Sequence, residues 1–166
     1  MPTRVPAKIY WDSCVYISCI QETTGRIDTL RKIIKQAEDG DIVLVASTFI
    51  IAEVVKIKDC VLTSDEQADK IKEFFDNDYI KVRDLDRKTA SMANEIARVH
   101  SINPADAVHL ATALRWQCDS FQTYDGEKGG PTKLLAFDGK IGRPPLKIEL
   151  PSFSGPPPQT LLNLGN

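Results

Sequence analysis

The uninterrupted apolar run Ile42-Val43-Leu44-Val45 constrains the fold of this chain more than any other segment. A strand with one wet face alternates apolar and polar residues. A strand that is apolar at every position is covered on both faces, as in a parallel sheet flanked by helices. Three more short runs read as strands: Lys8-Ile9-Tyr10-Trp11, Tyr79-Ile80-Lys81-Val82 and Ser120-Phe121-Gln122-Thr123, with Lys147-Ile148-Glu149-Leu150 as an edge strand. Helical patterns lie between them. One spans Ser13 to Gln21. A second opens with Asp28 as N-cap, carries Leu30, Ile33, Ile34 and Ala37 on one face and stops at Gly40. A third runs from Ser47 to Lys58. A fourth is opened by a capping box of Ser64 and Gln67 and ends near Phe75. Asp86 to His100 is a fifth, with Ala90, Ala93, Ile96 and Ala97 facing inward. Asn103-Pro104 starts a sixth, which ends near Trp116, because proline suits the first helical position. Leu134 to Asp138 forms a short helical turn.

This alternation predicts an α/β fold of three layers, α/β/α, around a central parallel sheet. With 166 residues the chain fits one domain. The domain is expected to span residues 1–151. Residues 152–166, with the run Ser154-Gly155-Pro156-Pro157-Pro158, read as a flexible Pro/Gly-rich tail. No internal repeat is visible.

The net charge is −2, so no global basic field exists to hold nucleic acid, and any such binding must be local. The cysteines, at positions 14, 19, 60 and 118, show no C-x-x-C spacing and lie near neither His100 nor His109, which speaks against a zinc site and for reduced thiols. The start, Met-Pro-Thr-Arg-Val-Pro-Ala-Lys, lacks the apolar core of a signal peptide. No segment approaches the ~18 apolar residues that span a bilayer. The expectation is a soluble cytoplasmic protein.

Sites in open α/β sheets form at the carboxyl ends of strands. Asp12 follows the first strand and Asp125 the fourth. Each also has a bland role, as a helix cap or as part of an Asp-Gly turn. Glu53 sits in Phe49-Ile50-Ile51-Ala52-Glu53-Val54-Val55, apolar nearly all round, a helix expected to be buried on most faces. A carboxylate there needs a cation, a hydrogen-bond network or a raised pKa; otherwise it reaches solvent through a gap. Asp106 opens the helix Pro104-Ala105-Asp106-Ala107-Val108-His109-Leu110-Ala111-Thr112-Ala113-Leu114. There Asp106, His109 and Thr112 form a narrow polar stripe, and a first-turn carboxylate also suits the helix dipole. His109 reads as a packing or hydrogen-bonding residue, outside the metal set. Four carboxylates in one pocket repel without counter-ions, and oxygen-rich acidic sites suit Mg²⁺ or Mn²⁺. Such ions would in turn attract a phosphate, which reconciles a nucleic-acid substrate with a slightly acidic protein.

Four stretches, in order, resemble the PIN domain family and within it the VapC-type ribonuclease toxins: Ile9-Tyr10-Trp11-Asp12-Ser13, Thr48-Phe49-Ile50-Ile51-Ala52-Glu53-Val54, Pro104 to Ala113, and Ser120-Phe121-Gln122-Thr123-Tyr124-Asp125. The resemblance covers roughly residues 7 to 150. It implies a Mg²⁺- or Mn²⁺-dependent endoribonuclease whose acidic quartet corresponds to Asp12, Glu53, Asp106 and Asp125. Ser13 and Thr123 would be the hydroxyl residues that orient metal or substrate. It also implies an RNA substrate, an antitoxin partner and a homodimer. The glycine-rich loop from Gly126 to Lys133 is longer than usual for the family, and the proline-rich tail has no counterpart in it. Asp138-Gly139 competes with Asp125-Gly126 for the fourth acid, and Asp125 is preferred because it directly follows a strand. Two other readings stand beside this one. A phosphomonoesterase with an aspartyl nucleophile usually carries a second aspartate two residues on, where this chain has Cys14. A non-catalytic scaffold of the same fold would use the acidic pocket for protein docking or keep it as a relic.

Overall fold

A computed structural model of the chain describes residues 5–55, 61 and 63–153. In chain order the elements are β1 (Ala7–Trp11), α1 (Ser13–Ile20), α2 (Ile27–Glu38), β2 (Ile42–Ser47), α3 (Thr48–Glu53), α4 (Ser64–Phe75), β3 (Ile80–Arg83), α5 (Arg87–His100), α6 (Pro104–Arg115), β4 (Ser120–Gln122), a 3₁₀ turn (Leu134–Phe137) and β5 (Ile148–Glu149). The strands form one sheet in the order β3-β2-β1-β4-β5, and every pairing is parallel.

Register assigns the side chains to the two faces. Tyr10 stands beside Val45 on one side and Phe121 on the other, so these three share a face. Tyr10 and Phe121 stack at 5.2 Å, and the Tyr10 ring meets His109 of α6 at 5.9 Å. That face is covered by α6, against which α5 packs. Trp11 points the other way and packs edge-on against Tyr16 of α1 at 5.3 Å. Tyr16 then packs on Phe74 and Phe75 of α4 at 6.0 and 5.1 Å. Leu44 and Val45, neighbours with opposite directions, are both buried, which is the two-sided coverage the apolar run of β2 requires. Among the described residues no helix is long and apolar enough to cross a membrane.

Local chemistry shifts several boundaries. The capping box of α4 belongs to Thr63 and Glu66, one residue before the expected Ser64 and Gln67. Glu66 Oε2 accepts from the Thr63 amide at 2.7 Å and hydroxyl at 2.8 Å. Threonine followed three residues later by glutamate meets the motif as serine and glutamine would, and here the helix starts one residue earlier than expected. Asp28 is not the cap of α2 but lies in its first turn, where its charge meets the helix dipole. Helix α3 stops at Glu53 because Val54 leaves the helical region, with φ −82° and ψ 77°. The expected continuation over residues 56–58 lies outside the described residues, as does the stretch 154–166 of the proline-rich segment. Nor is α3 buried on most faces: Ile50 is buried, whereas Ile51 and Ala52 are exposed.

Candidate active site

The strand order reverses at β1: β2 and β3 extend from one side of it, β4 and β5 from the other. Crevices for ligands form at such switch points, beyond the carboxyl ends of the strands. The chain places Asp12 directly after β1 and Thr123, Tyr124 and Asp125 directly after β4, its hydrogen-bonded neighbour.

Asp12 is 4% exposed and fully engaged. Its extended backbone makes it the N-cap of α1: Oδ1 accepts from the Ser13 amide at 2.9 Å. Its Oδ2 accepts from the Thr123 hydroxyl at 2.8 Å and from the Cys14 thiol at 3.4 Å. Asp12 thus fills the capping role with one oxygen and engages Thr123 and Cys14 with the other. The buried Thr123 hydroxyl also accepts the Asp125 amide at 2.9 Å, so it links the two aspartates. Ser13 contributes its backbone N–H; among the described residues its hydroxyl makes no hydrogen bond. Burial, reinforced by the Asp12 charge, pushes the Cys14 thiol up to about 12 and keeps it protonated.

Asp125 closes the loop that follows it. Its Oδ2 accepts the Leu134 amide at 2.9 Å, its carbonyl accepts the Leu135 amide at 3.1 Å, and Lys133 Nζ lies 3.2 Å from Oδ1. Gly126 makes this return possible. Its φ is +104°, and a Cβ there would lie 2.9 Å from Lys133 Cβ and 3.1 Å from Leu135 Cβ. The unusual length and glycine content of this loop therefore bring a cation to the site. The competing Asp138 is occupied elsewhere: its Oδ1 accepts the Ile148 amide at 2.8 Å and anchors β5.

Asp106 stands in the first turn of α6, behind Asn103, whose side chain caps the Ala105 amide at 2.9 Å, and Pro104. Among the described residues its carboxylate has no hydrogen-bond partner. It is half-buried, and burial is the first cause that raises it from 3.8 to about 6; the charges of Asp12 and Asp125 and, least, Glu53 raise it further, against a lowering by His109 that outweighs the Glu53 effect. Asp106 is therefore within electrostatic reach of the other three acids.

Glu53, at the end of α3, is held by a histidine: Glu53 Oε2 and His109 Nε2 are 2.6 Å apart. His109 is fully buried, and its Nδ1 lies 2.7 Å from the Tyr10 hydroxyl. The Tyr10 oxygen accepts the Ser47 amide at 3.2 Å. Burial, with the Asp12 field second, holds the Tyr10 hydroxyl well above 10, so it remains a donor. Thr112, the third residue of the polar stripe, is also buried and bonds the Val108 carbonyl at 2.8 Å. Sequence reasoning reads His109 as a packing or hydrogen-bonding residue and does not name its partners. The stripe was visible, but its partners lie 99 and 56 positions away in the chain.

Among the described residues no group of three or more His, Cys, Asp or Glu is gathered tightly enough to cage a metal ion. Asp12, Glu53 and Asp125 are each bonded to a protein donor, and among the described residues Asp106 makes no hydrogen bond through its carboxylate. This suits a cation that keeps much of its own water and takes one or two direct carboxylates, as Mg²⁺ does, better than one that demands a closed cage. The donor set is all oxygen, and its mutual repulsion is what such a cation would relieve.

The PIN domain family profile matches residues 9–127. Two solved structures share the fold at low sequence identity. VapC20 of Mycobacterium tuberculosis, described as a sarcin–ricin loop cleaving toxin, superposes with a TM-score of 0.57 at 14% identity, over 72% of this chain and 91% of its own. A chain of Rickettsia felis VapBC2, solved bound to a DNA fragment from its promoter, superposes with a TM-score of 0.60 at 12% identity, over 85% of this chain and 98% of its own. Among curated proteins no sequence matches.

Proposed function

The chain belongs to the PIN domain family, and we propose that it is a divalent-metal-dependent endoribonuclease, the toxin of a toxin–antitoxin pair acting in the cytoplasm. The observation that supports this reading is that Asp12 and Asp125 follow the neighbouring strands β1 and β4 and that their charges, with that of Glu53, add to burial in raising Asp106 to about 6. Asp12, Asp106 and Asp125 would hold Mg²⁺ or Mn²⁺, directly or through water, and Glu53 would complete the set. The bound ion would supply charge neutralisation at the phosphate and an acidified water.

The remaining steps belong to the protein. Thr123 keeps the Asp12 carboxylate turned and hydrogen-bonded, so that it does not swing away from Asp125. Ser13 fixes the other Asp12 oxygen through its amide. Glu53, fixed by His109, accepts a hydrogen bond from the attacking water and aligns it opposite the leaving 3′-oxygen. Lys133, exposed and paired with Asp125, could also pair with a phosphate oxygen. Products with a 5′-phosphate and a 3′-hydroxyl are expected. Beside Glu53, Ile51 is 47% and Val55 76% exposed, an apolar surface suited to an antitoxin or a second copy of the chain.

The test is cleavage of single-stranded RNA with Mn²⁺ by the wild type and by Asp106→Asn. Loss of turnover in the variant is expected, and undiminished turnover would reject the assignment. The non-catalytic scaffold draws on the fact that the described residues form no pre-gathered metal cluster. Thermal unfolding separates the two readings: a cation bound to the native state raises the melting temperature, and a scaffold shows no shift with Mn²⁺.

A further inference from the structure

The chain of hydrogen bonds behind Glu53 has a defined direction. The Ser47 amide can only donate, and it donates to the Tyr10 oxygen at 3.2 Å. Tyr10 Oη and His109 Nδ1 lie 2.7 Å apart, and because the carboxylate at the far end of the chain can only accept, the Tyr10 O–H is assigned as the donor to Nδ1. With Nδ1 accepting, the neutral imidazole carries its proton on Nε2, which donates to Glu53 Oε2 at 2.6 Å. The ring has no freedom to turn: His109 and Tyr10 are fully buried, and the imidazole is flanked by Tyr10 at 5.9 Å and Phe49 at 5.6 Å.

We propose that Tyr10 and His109 are positioning residues that fix the Glu53 carboxylate through a relay running from the Ser47 amide across β2, β1 and α6 to the end of α3. The inference rests on the nuclease reading for its consequence, not for its geometry. Glu53 needs such a device. It terminates a helix of six residues of which Ile50 is the buried one, so α3 alone gives its last side chain little support. The relay engages Oε2. Among the described residues Oε1 has no partner, and it is the oxygen left for water or a hydrated cation. A buried histidine that merely filled space would not need its tautomer set; here the Tyr10 hydroxyl and the Glu53 carboxylate select the same one, because the alternative tautomer turns a bare Nε2 lone pair toward a carboxylate.

Two readouts on the full chain test this. In metal-stripped protein at neutral pH, side-chain ¹⁵N NMR of His109 should show a protonated Nε2 and a bare, hydrogen-bonded Nδ1 in the wild type, and an Nδ1 resonance moved to the position of a lone pair without a donor in Tyr10→Phe. A wild-type ring protonated at Nδ1 overturns the relay, as does a Tyr10→Phe spectrum identical to wild type. In Mn²⁺-dependent RNA cleavage, kcat should fall about tenfold in Tyr10→Phe and up to about 100-fold in His109→Leu, with KM for RNA nearly unchanged. His109→Gln, whose amide can still donate to Oε2, should recover part of that loss. Wild-type kcat in a folded His109→Leu overturns the proposal. If His109→Leu does not fold, Tyr10→Phe and His109→Gln decide the kinetics by the same criteria. If the wild type does not cleave RNA, the nuclease reading fails alone, and the NMR spectra still decide whether Tyr10 orients His109 toward Glu53.

Discussion

Replacing Asp106 by asparagine should stabilise the metal-free protein. Raising a carboxyl from 3.8 to about 6 corresponds to about 3 kcal/mol lost on full ionisation. Asp106 is only half-buried, and solvent screening reduces this to about 1–2 kcal/mol. The dipole of α6 favours a first-turn charge and returns about 0.3–1 kcal/mol. The net expectation is about 1 kcal/mol, or roughly 2–4 °C in melting temperature for a domain of this size. The folded pKa lies above the unfolded one, so the native state binds the proton more tightly. The cost is therefore absent below pH 4, grows as pH rises from about 4 to 6, and is complete above that. Urea unfolding in chelator at pH 4 and 7.5 measures it: Asp106→Asn should match the wild type at pH 4 and exceed it at pH 7.5. The order should reverse with Mn²⁺, which the wild type binds better. A variant less stable than the wild type at pH 7.5 in chelator would refute the claim that this carboxylate is held against the field of three others.

Other residues give further outcomes. Lys133→Ala removes a cation that competes for Asp125, and Mn²⁺ affinity by titration should rise about two- to fivefold, the worth of a surface ion pair; unchanged affinity would argue against Asp125 as a ligand. Gly126→Ala forces a side chain into a positive-φ position already crowded by Lys133, and should cost about 1–3 kcal/mol in urea unfolding; a neutral variant would show that the loop is not held as described. The Cys14 thiol, pushed up to about 12, should resist alkylation in native protein at pH 8 and react on unfolding, as followed by mass spectrometry.

How much could be read beforehand depends on the range of the interaction. Asp12 and Asp125 were legible because strand ends are local features, and the start of α6 because Asn103-Pro104 is a local signal. The layered parallel sheet followed from Ile42 to Val45, since burial on both faces leaves its mark along a single strand. Glu53 was found by an argument that fails in part: α3 is not buried all round, and the glutamate is stabilised by His109 rather than enclosed by apolar neighbours. The tertiary partners were not legible. Nothing near His109 announces Tyr10 or Glu53, and nothing near Asp125 says that the glycine-rich loop turns Lys133 back onto it. The α4 cap was misplaced by one residue because Thr63 and Ser64 both suit the role, and side-chain geometry decided between them.

The central claim is that these separated acids form one cation site. Calorimetric titration of Mn²⁺ into metal-stripped protein tests it most directly. The account predicts saturable binding to the wild type that weakens at least about tenfold in Asp12→Asn, the loss of one ligand carboxylate. Saturable binding equal in both proteins, or none in the wild type, would contradict it.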